Sequence, residues 1–150
     1  YRRMAQDALD HAITLAGLPD RPCVTGSLRL HGWCDPAQPP LAEALQIYGS
    51  EAGNVQALMD TDPALAAALH PRLPYPLASV VWAARHEQAR TLEDVLSRRT
   101  RSLILDARAA IECAPAVAFL LASELDRDQA WAYAQVQEFE SLAAGYVSPN

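Results

Sequence analysis

The sequence predicts an all-α fold: a multi-helix domain with orthogonal or bundle-like packing, preceded by one helix and an irregular linker. Three observations carry this expectation. Apolar residues recur at spacings of three and four along most of the chain. Helix-start signals, a capping residue followed by acid or proline, recur at short intervals. Only Ser27 to His31 alternates apolar with polar, which leaves room for at most one short strand.

The first helix runs from Arg2 to Leu18. Met4, Ala8, His11, Ala12 and Leu15 share one face, Asp7 and Asp10 lie on the other side, and Gly17 and Pro19 end it. Residues 19–47 form the linker, where Pro22, Gly26, Gly32, Pro36, Pro39 and Pro40 break the pattern. At its end Leu41 to Tyr48 forms a short helix with Pro40 at its start, stopped by Gly49. Ser50 caps the next helix, to about Met59, with Glu51 in its first turn. Asp62-Pro63 starts another over Ala64 to Leu69. His70 to Pro76, with three prolines, is a rigid connector.

Pro76 then opens a helix to about Gln88 that buries Leu77, Val80, Val81 and Ala84. Thr91 caps the following one, with Glu93 and Asp94 facing the macrodipole. Read as one continuous helix, it puts Leu92, Val95, Leu96, Arg99, Leu103 and Ala110 on a common face. Pro115 starts the next, with Val117, Leu120 and Leu121 inward. Asp126 or Asp128 caps the last, to about Tyr146, with Ala132, Val136, Phe139, Ala143 and Tyr146 as its stripe. The helical domain thus spans 48–146, and 147–150 is a tail.

Composition excludes several classes. At 150 residues the chain suits one domain and not comfortably two. A net charge of -6 speaks against a nucleic-acid partner. All 12 basic residues are Arg, a bias that GC-rich coding explains. The longest apolar run, Cys113 to Ala122, is too short to span a bilayer. Cys23, Cys34 and Cys113 are odd in number and widely spaced, which suits a reducing, cytoplasmic compartment. The chain opens at Tyr1 inside a helical pattern, as expected of a piece of a longer protein.

No catalytic or metal centre follows from the spacing. Cys23, His31 and Cys34 lack a CxxC pair and a fourth ligand. His86-Glu87 is half of a zincin motif, but Arg90 stands where the second His is needed. Ser79, Ser97, Ser102 and Ser123 sit in helical patterns without a glycine elbow, and Cys113 reads as an inert buried thiol. No glycine-rich phosphate loop is present.

The arginines say more. Residues 85–108 hold six Arg against Glu87, Glu93, Asp94 and Asp106, or +2, which leaves -8 for the rest. Asp94 and Arg98 form an i,i+4 pair. Arg99 falls on the apolar stripe and needs a partner, for which Asp106 is the nearest candidate in sequence. Arg98, Arg99, Arg101 and Asp106 are therefore the candidate structural ion pairs or interface, preferred over a ligand-binding arginine.

These residues also carry a resemblance. His70-Pro71-Arg72-Leu73-Pro74-Tyr75, Val80-Val81-Trp82-Ala83, Arg85-His86-Glu87, the run Ala89 to Leu96, Arg98-Arg99-Thr100-Arg101 and Leu105 to Ala110 resemble the C-terminal helical domain of the FAD-dependent (aerobic) glycerol-3-phosphate dehydrogenases. Tyr48 to Ala52 resembles that domain's opening, and Trp131, Gln135-Val136 and Phe139 its last helix. Tyr1 to Ala5 resembles the end of the family's G-G-K-x-T-T-Y-R-x-M-A segment. Ser79 and Gln88 depart from the family's pattern.

The resemblance implies a bacterial enzyme that oxidises sn-glycerol 3-phosphate to dihydroxyacetone phosphate, with FAD as cofactor and quinone as acceptor. It implies that Tyr1 and Arg2 lie near the flavin, with residues 1–18 closing the FAD domain. The partners implied are the N-terminal FAD/substrate domain of the same protein and the cytoplasmic face of the inner membrane. The fragment itself is expected to be inactive and to bind no cofactor. A second copy is a further candidate partner, because the first helix has an apolar face to cover. The competing reading is a free-standing helical interaction or dimerisation module. A third reading, a related FAD oxidase of the same ester, differs only upstream.

Overall fold

The computed structural model describes residues 1–35 and 42–147. Pro40 and Leu41, expected to open a helix, and 148–150 of the expected tail lie outside the described residues. The chain divides into two compact units, Tyr1–Trp33 and Cys34–Asn150. Among the described residues every regular element is helical, and the one β feature is an isolated antiparallel bridge between Ala68 and Pro76. The all-α expectation holds.

In the first unit, α1 spans Arg2–Ala16. Gly17 ends it in the left-handed region (φ 62°), where glycine avoids the Cβ clash, and Leu18 N–H bonds back to Ile13. No residue of α1 is buried, so its apolar face is bare within this unit. The Arg2 guanidinium donates to Gln6 and to Thr25 Oγ1 (3.2 Å), which ties the helix to the segment after it. Ser27 to His31 forms no strand. Its alternation finds no neighbouring strand to bond, and Ser27 N–H turns back onto Val24 instead.

The second unit opens with a 3₁₀ turn over Glu43–Glu51, where the spacing predicts a short α-helix ending at Gly49. Gly49 does interrupt it, with φ 53°. α2 follows at Ala52–Thr61. Ser50 does not cap it: its hydroxyl meets the Glu51 carboxylate rather than a backbone N–H. Asp62 does act as a cap, accepting from Ala64 N–H at 3.0 Å, but only one 3₁₀ turn, Pro63–Ala66, results. Residues 67–77 then form a tight loop closed by Leu69 N–H to Tyr75 and Leu77 N–H to Ala67, both 2.8 Å.

α3 spans Ala78–His86 and is buried from Ala78 through Ala84, all round rather than along one stripe. A helix buried on every side has core on every side. Tyr48, Ala52, Val55, Ala78 and Trp82 pack into a small core on one flank. The larger core gathers Val80, Leu92, Val95, Leu96, Val117, Leu121 and Phe139 on the other.

The long helix expected from Thr91 to Ala110 is broken twice. Thr91 caps as predicted, its Oγ1 accepting from Asp94 N–H, and Asp94 returns the bond by accepting from Thr91 N–H. Asp94–Arg99 then widens into a π turn, and Thr100 N–H bonds to Val95. The Thr100 hydroxyl takes the Val95 carbonyl as well, and Arg101 leaves the helical path at φ 55°. One turn of helix, α4, occupies Ser102–Leu105. Asp106 then caps α5 (Ala107–Glu124) by accepting from Ala109 N–H at 2.9 Å.

Pro115 therefore lies inside α5 and does not start a helix. The Asp106 cap nucleates nine residues earlier, and the proline sits on the exposed face. Asp128, rather than Asp126, caps α6 (Gln129–Ala143), while Asp126 makes the preceding turn at φ 52°. Ala132, Gln135, Phe139 and Ala143 face inward from α6, whereas Tyr146 is exposed.

Candidate functional site

The arginine-rich segment is built at the C-terminal end of α3 and the capped turn that follows. A helix end leaves carbonyls without partners. Here two guanidinium groups supply them. Arg90 donates to the carbonyls of Ala84 and Ala89, each at 2.9 Å. Arg99 donates two hydrogen bonds to the Glu87 carbonyl, at 3.1 and 2.7 Å, with the Glu87 carboxylate 3.7 Å away. Between them Gln88 turns the chain at φ 56°, a conformation that costs a side chain roughly 1–2 kcal/mol. The two arginines hold that turn closed.

Arg99 is therefore partnered, but not by Asp106. Its long side chain reaches back across the turn to α3, and a third of it stays exposed. Arg98 pairs with Asp94 (2.8 Å) and Glu93 (2.7 Å), as the i,i+4 spacing predicts for the first of them. Arg85 makes a two-pronged pair with Glu124 on α5, at 2.6 and 2.8 Å. Arg101 is exposed, and its side chain makes no hydrogen bond or ion pair among the described residues.

Asp106 instead receives Arg72 at 2.8 Å, from the tight loop before α3. Arg72 also reaches Glu112 (3.2 Å), and Glu112 meets His70 Nε2 at 2.9 Å. His70 Nδ1 accepts from the Arg72 N–H, which leaves the proton on Nε2 to be donated to Glu112. Nothing in the sequence pattern marks this cluster, and the candidates read from it missed Arg72, His70 and Glu112. The pairs that join His70 and Arg72 to Asp106 and Glu112 stand 34 to 42 residues apart, and no local period links them.

Three carboxylates of these networks, Asp94, Asp106 and Glu112, titrate low. Arg72 and the Ala109 N–H pull Asp106 down. Arg72 and then His70 pull Glu112 down. Burial pushes Asp94 up, but the Arg90 N–H, the Thr91 hydroxyl and N–H, and Arg98 together bring it below the usual range. A carboxylate that titrates lower in the folded state adds stability that is complete above its unfolded pKa and fades as pH falls through its folded one. Thermal melts should therefore hold steady from pH 7 to 5 and drop below about pH 4. Asp94→Asn should flatten part of that drop.

The remaining candidate residues are dispersed. Burial pushes the Cys113 thiol up to about 11, which keeps it unreactive. Cys23 and Cys34 are exposed. Ser79 is buried, and its hydroxyl has no hydrogen-bond partner among the described residues. No cluster of three or more His, Cys, Asp or Glu able to hold a metal occurs among the described residues, and no described helix is long and apolar enough to cross a membrane.

Tyr1 is fully exposed at the start of α1, and Arg2 is engaged by Gln6 and Thr25. One ring and one engaged guanidinium do not form a cradle for a dinucleotide.

Comparison with known proteins places the domain. Residues 35–132 match the family model for the C-terminal domain of alpha-glycerophosphate oxidase. A probable mitochondrial glycerol-3-phosphate dehydrogenase of Caenorhabditis elegans is 32% identical over 92% of this chain and 22% of its own length. The mitochondrial glycerol-3-phosphate dehydrogenase of Mesocricetus auratus is 33% identical over 84% of this chain and 20% of its own. Glycerol-3-phosphate dehydrogenase 1 of Mycobacterium tuberculosis is 37% identical over 67% of this chain and 21% of its own. No solved structure matches. The chain spans about a fifth of the length of these relatives. The family model thus covers the second unit from its start into the first turn of α6, and the chain belongs to the family of C-terminal domains found in alpha-glycerophosphate oxidase and the glycerol-3-phosphate dehydrogenases.

Proposed function

We propose that this chain is the C-terminal helical part of an FAD-dependent glycerol-3-phosphate dehydrogenase and that it is not catalytic by itself. The observation that carries this reading is the family match, residues 35–132, which falls entirely within the compact helical unit. The whole enzyme converts sn-glycerol 3-phosphate to dihydroxyacetone phosphate, losing a hydride from the carbinol carbon and a proton from its hydroxyl. FAD, when bound by the upstream domain, supplies the hydride acceptor, and quinone at the cytoplasmic face of the inner membrane takes the electrons onward.

Within that enzyme residues 1–18 close the FAD domain, residues 19–47 connect, and residues 48–146 cap the catalytic part. Tyr1 and Arg2 lie on the flavin side. The segment 85–108 meets the catalytic part. Calorimetry with the isolated 150-residue chain should detect binding of neither FAD nor glycerol 3-phosphate. Micromolar affinity for either overturns the cap reading. The full-length gene product should reduce a dye acceptor when glycerol 3-phosphate is added, and an inactive full-length product overturns the dehydrogenase reading.

A further inference from the structure

The six arginines of segment 85–108 are not equivalent. Arg85, Arg90, Arg98 and Arg99 are engaged inside the helical unit, and Arg108 has a partner too. Arg101 alone of the six presents its guanidinium to solvent without one among the described residues. Beside it, α4 turns Ile104 and Leu105 outward, 71% and 58% exposed, while Ser102 and Leu103 fill the inward positions. Single exposed apolar residues are ordinary; two large neighbours beside an unpaired cation are a patch.

This patch is held rigidly at both ends. Before it, Thr100 Oγ1 bonds to the Val95 carbonyl (2.9 Å) and to Ser102 Oγ (2.7 Å), both buried. After it, Asp106 caps α5 and binds Arg72. These bonds impose the left-handed backbone at Arg101 (φ 55°). Side chains on a locked backbone lose little freedom on docking, which is the economy of a preorganised surface.

We propose that Arg101, Ile104 and Leu105 form the seam against the catalytic part of the same polypeptide, which meets them with an apolar recess edged by a carboxylate. The proposal rests on the cap reading above. Size decides between a tethered partner and a second copy. Three residues are far fewer than the roughly 20–30 a side that a specific interface between free proteins uses. A partner on the same chain is held at high effective concentration, so a small patch suffices. The matched relatives share only 22% and 20% of their length with this chain, so such a partner has ample chain to come from.

The test uses the full-length protein with a photo-crosslinking amino acid at position 104. Mass spectrometry should find Ile104's replacement joined to residues preceding Tyr1 on the same chain. The same label at Tyr133, which is also exposed, should give no such product. Crosslinks to a second copy, or none, overturn the seam. In a second measurement, full-length Ile104→Asp/Leu105→Asp should be cut by protease within 19–47 about tenfold faster, with 48–146 still resistant, as expected when docking is lost but local structure is kept. Unchanged cleavage overturns the proposal. An upstream reading frame without a dinucleotide-binding loop overturns the cap reading and the seam together, whereas a sound enzyme with no crosslink at 104 overturns the seam alone.

Discussion

Phe139→Ala should destabilise the helical unit by about 3–5 kcal/mol. Phe139 is 2% exposed and is the largest of the fully buried side chains. It projects from α6 into the main core with Leu121 and Val117 of α5. Its removal leaves a cavity that two capped helices cannot close by shifting, since their caps at Asp106 and Asp128 fix where each begins. Whole-domain stabilities are roughly 5–15 kcal/mol, so the loss takes a large share of the total. Urea denaturation should show a lower midpoint with an unchanged slope. Phe119→Ala, at a site 37% exposed and resting on Tyr133, should lose far less. Equal losses at the two positions would show that the core is not centred where the packing places it.

Arg99→Leu should cost about 1.5–2 kcal/mol, the lower part of the range for charge-assisted bonds because a third of the side chain is exposed. The loss comes from the Glu87 carbonyl, which gives up both guanidinium hydrogen bonds. Arg99→Lys should recover only part of it, since an ammonium cannot offer the planar fork. If Arg99 acted through its charge alone, Lys would restore nearly everything. Chemical denaturation of the three proteins at low and high salt distinguishes the two: loss of a carbonyl cap persists in salt, whereas a screened ion pair fades.

Much of the architecture is legible from local chemistry. Thr91 with Asp94, Asp62 with Pro63, and Asp128 are caps because short polar side chains reach the free N–H groups of the next turn. Their effect stays within a turn of helix, so reading them needs no tertiary contact. The pair Arg98–Asp94 is legible for the same reason. Ser50 fails as a cap because Glu51, its immediate neighbour, already has helical backbone angles and takes the hydroxyl instead.

Breaks inside apolar stretches are less legible. From Thr91 to Ala110 the apolar stripe is continuous in sequence, and only the Thr100 hydroxyl and the Asp106 carboxylate, competing for backbone groups, reveal the two interruptions. Pro115 illustrates the converse. A proline is a start signal where a helix has yet to form, but the Asp106 cap had already set the register of α5.

By itself the sequence determined the helical class, most of the caps, the apolar stripes and the family. Each depends on residues within a turn of one another, or on a string specific enough to be matched. The tertiary structure alone decided which arginine holds what. Arg99 turns back to the Glu87 carbonyl, Asp106 receives Arg72 from 34 residues away, and Arg101 is left facing outward. The reason is physical: a guanidinium at the end of a long side chain is satisfied by whatever acceptor the fold brings within reach, and sequence distance does not measure that reach.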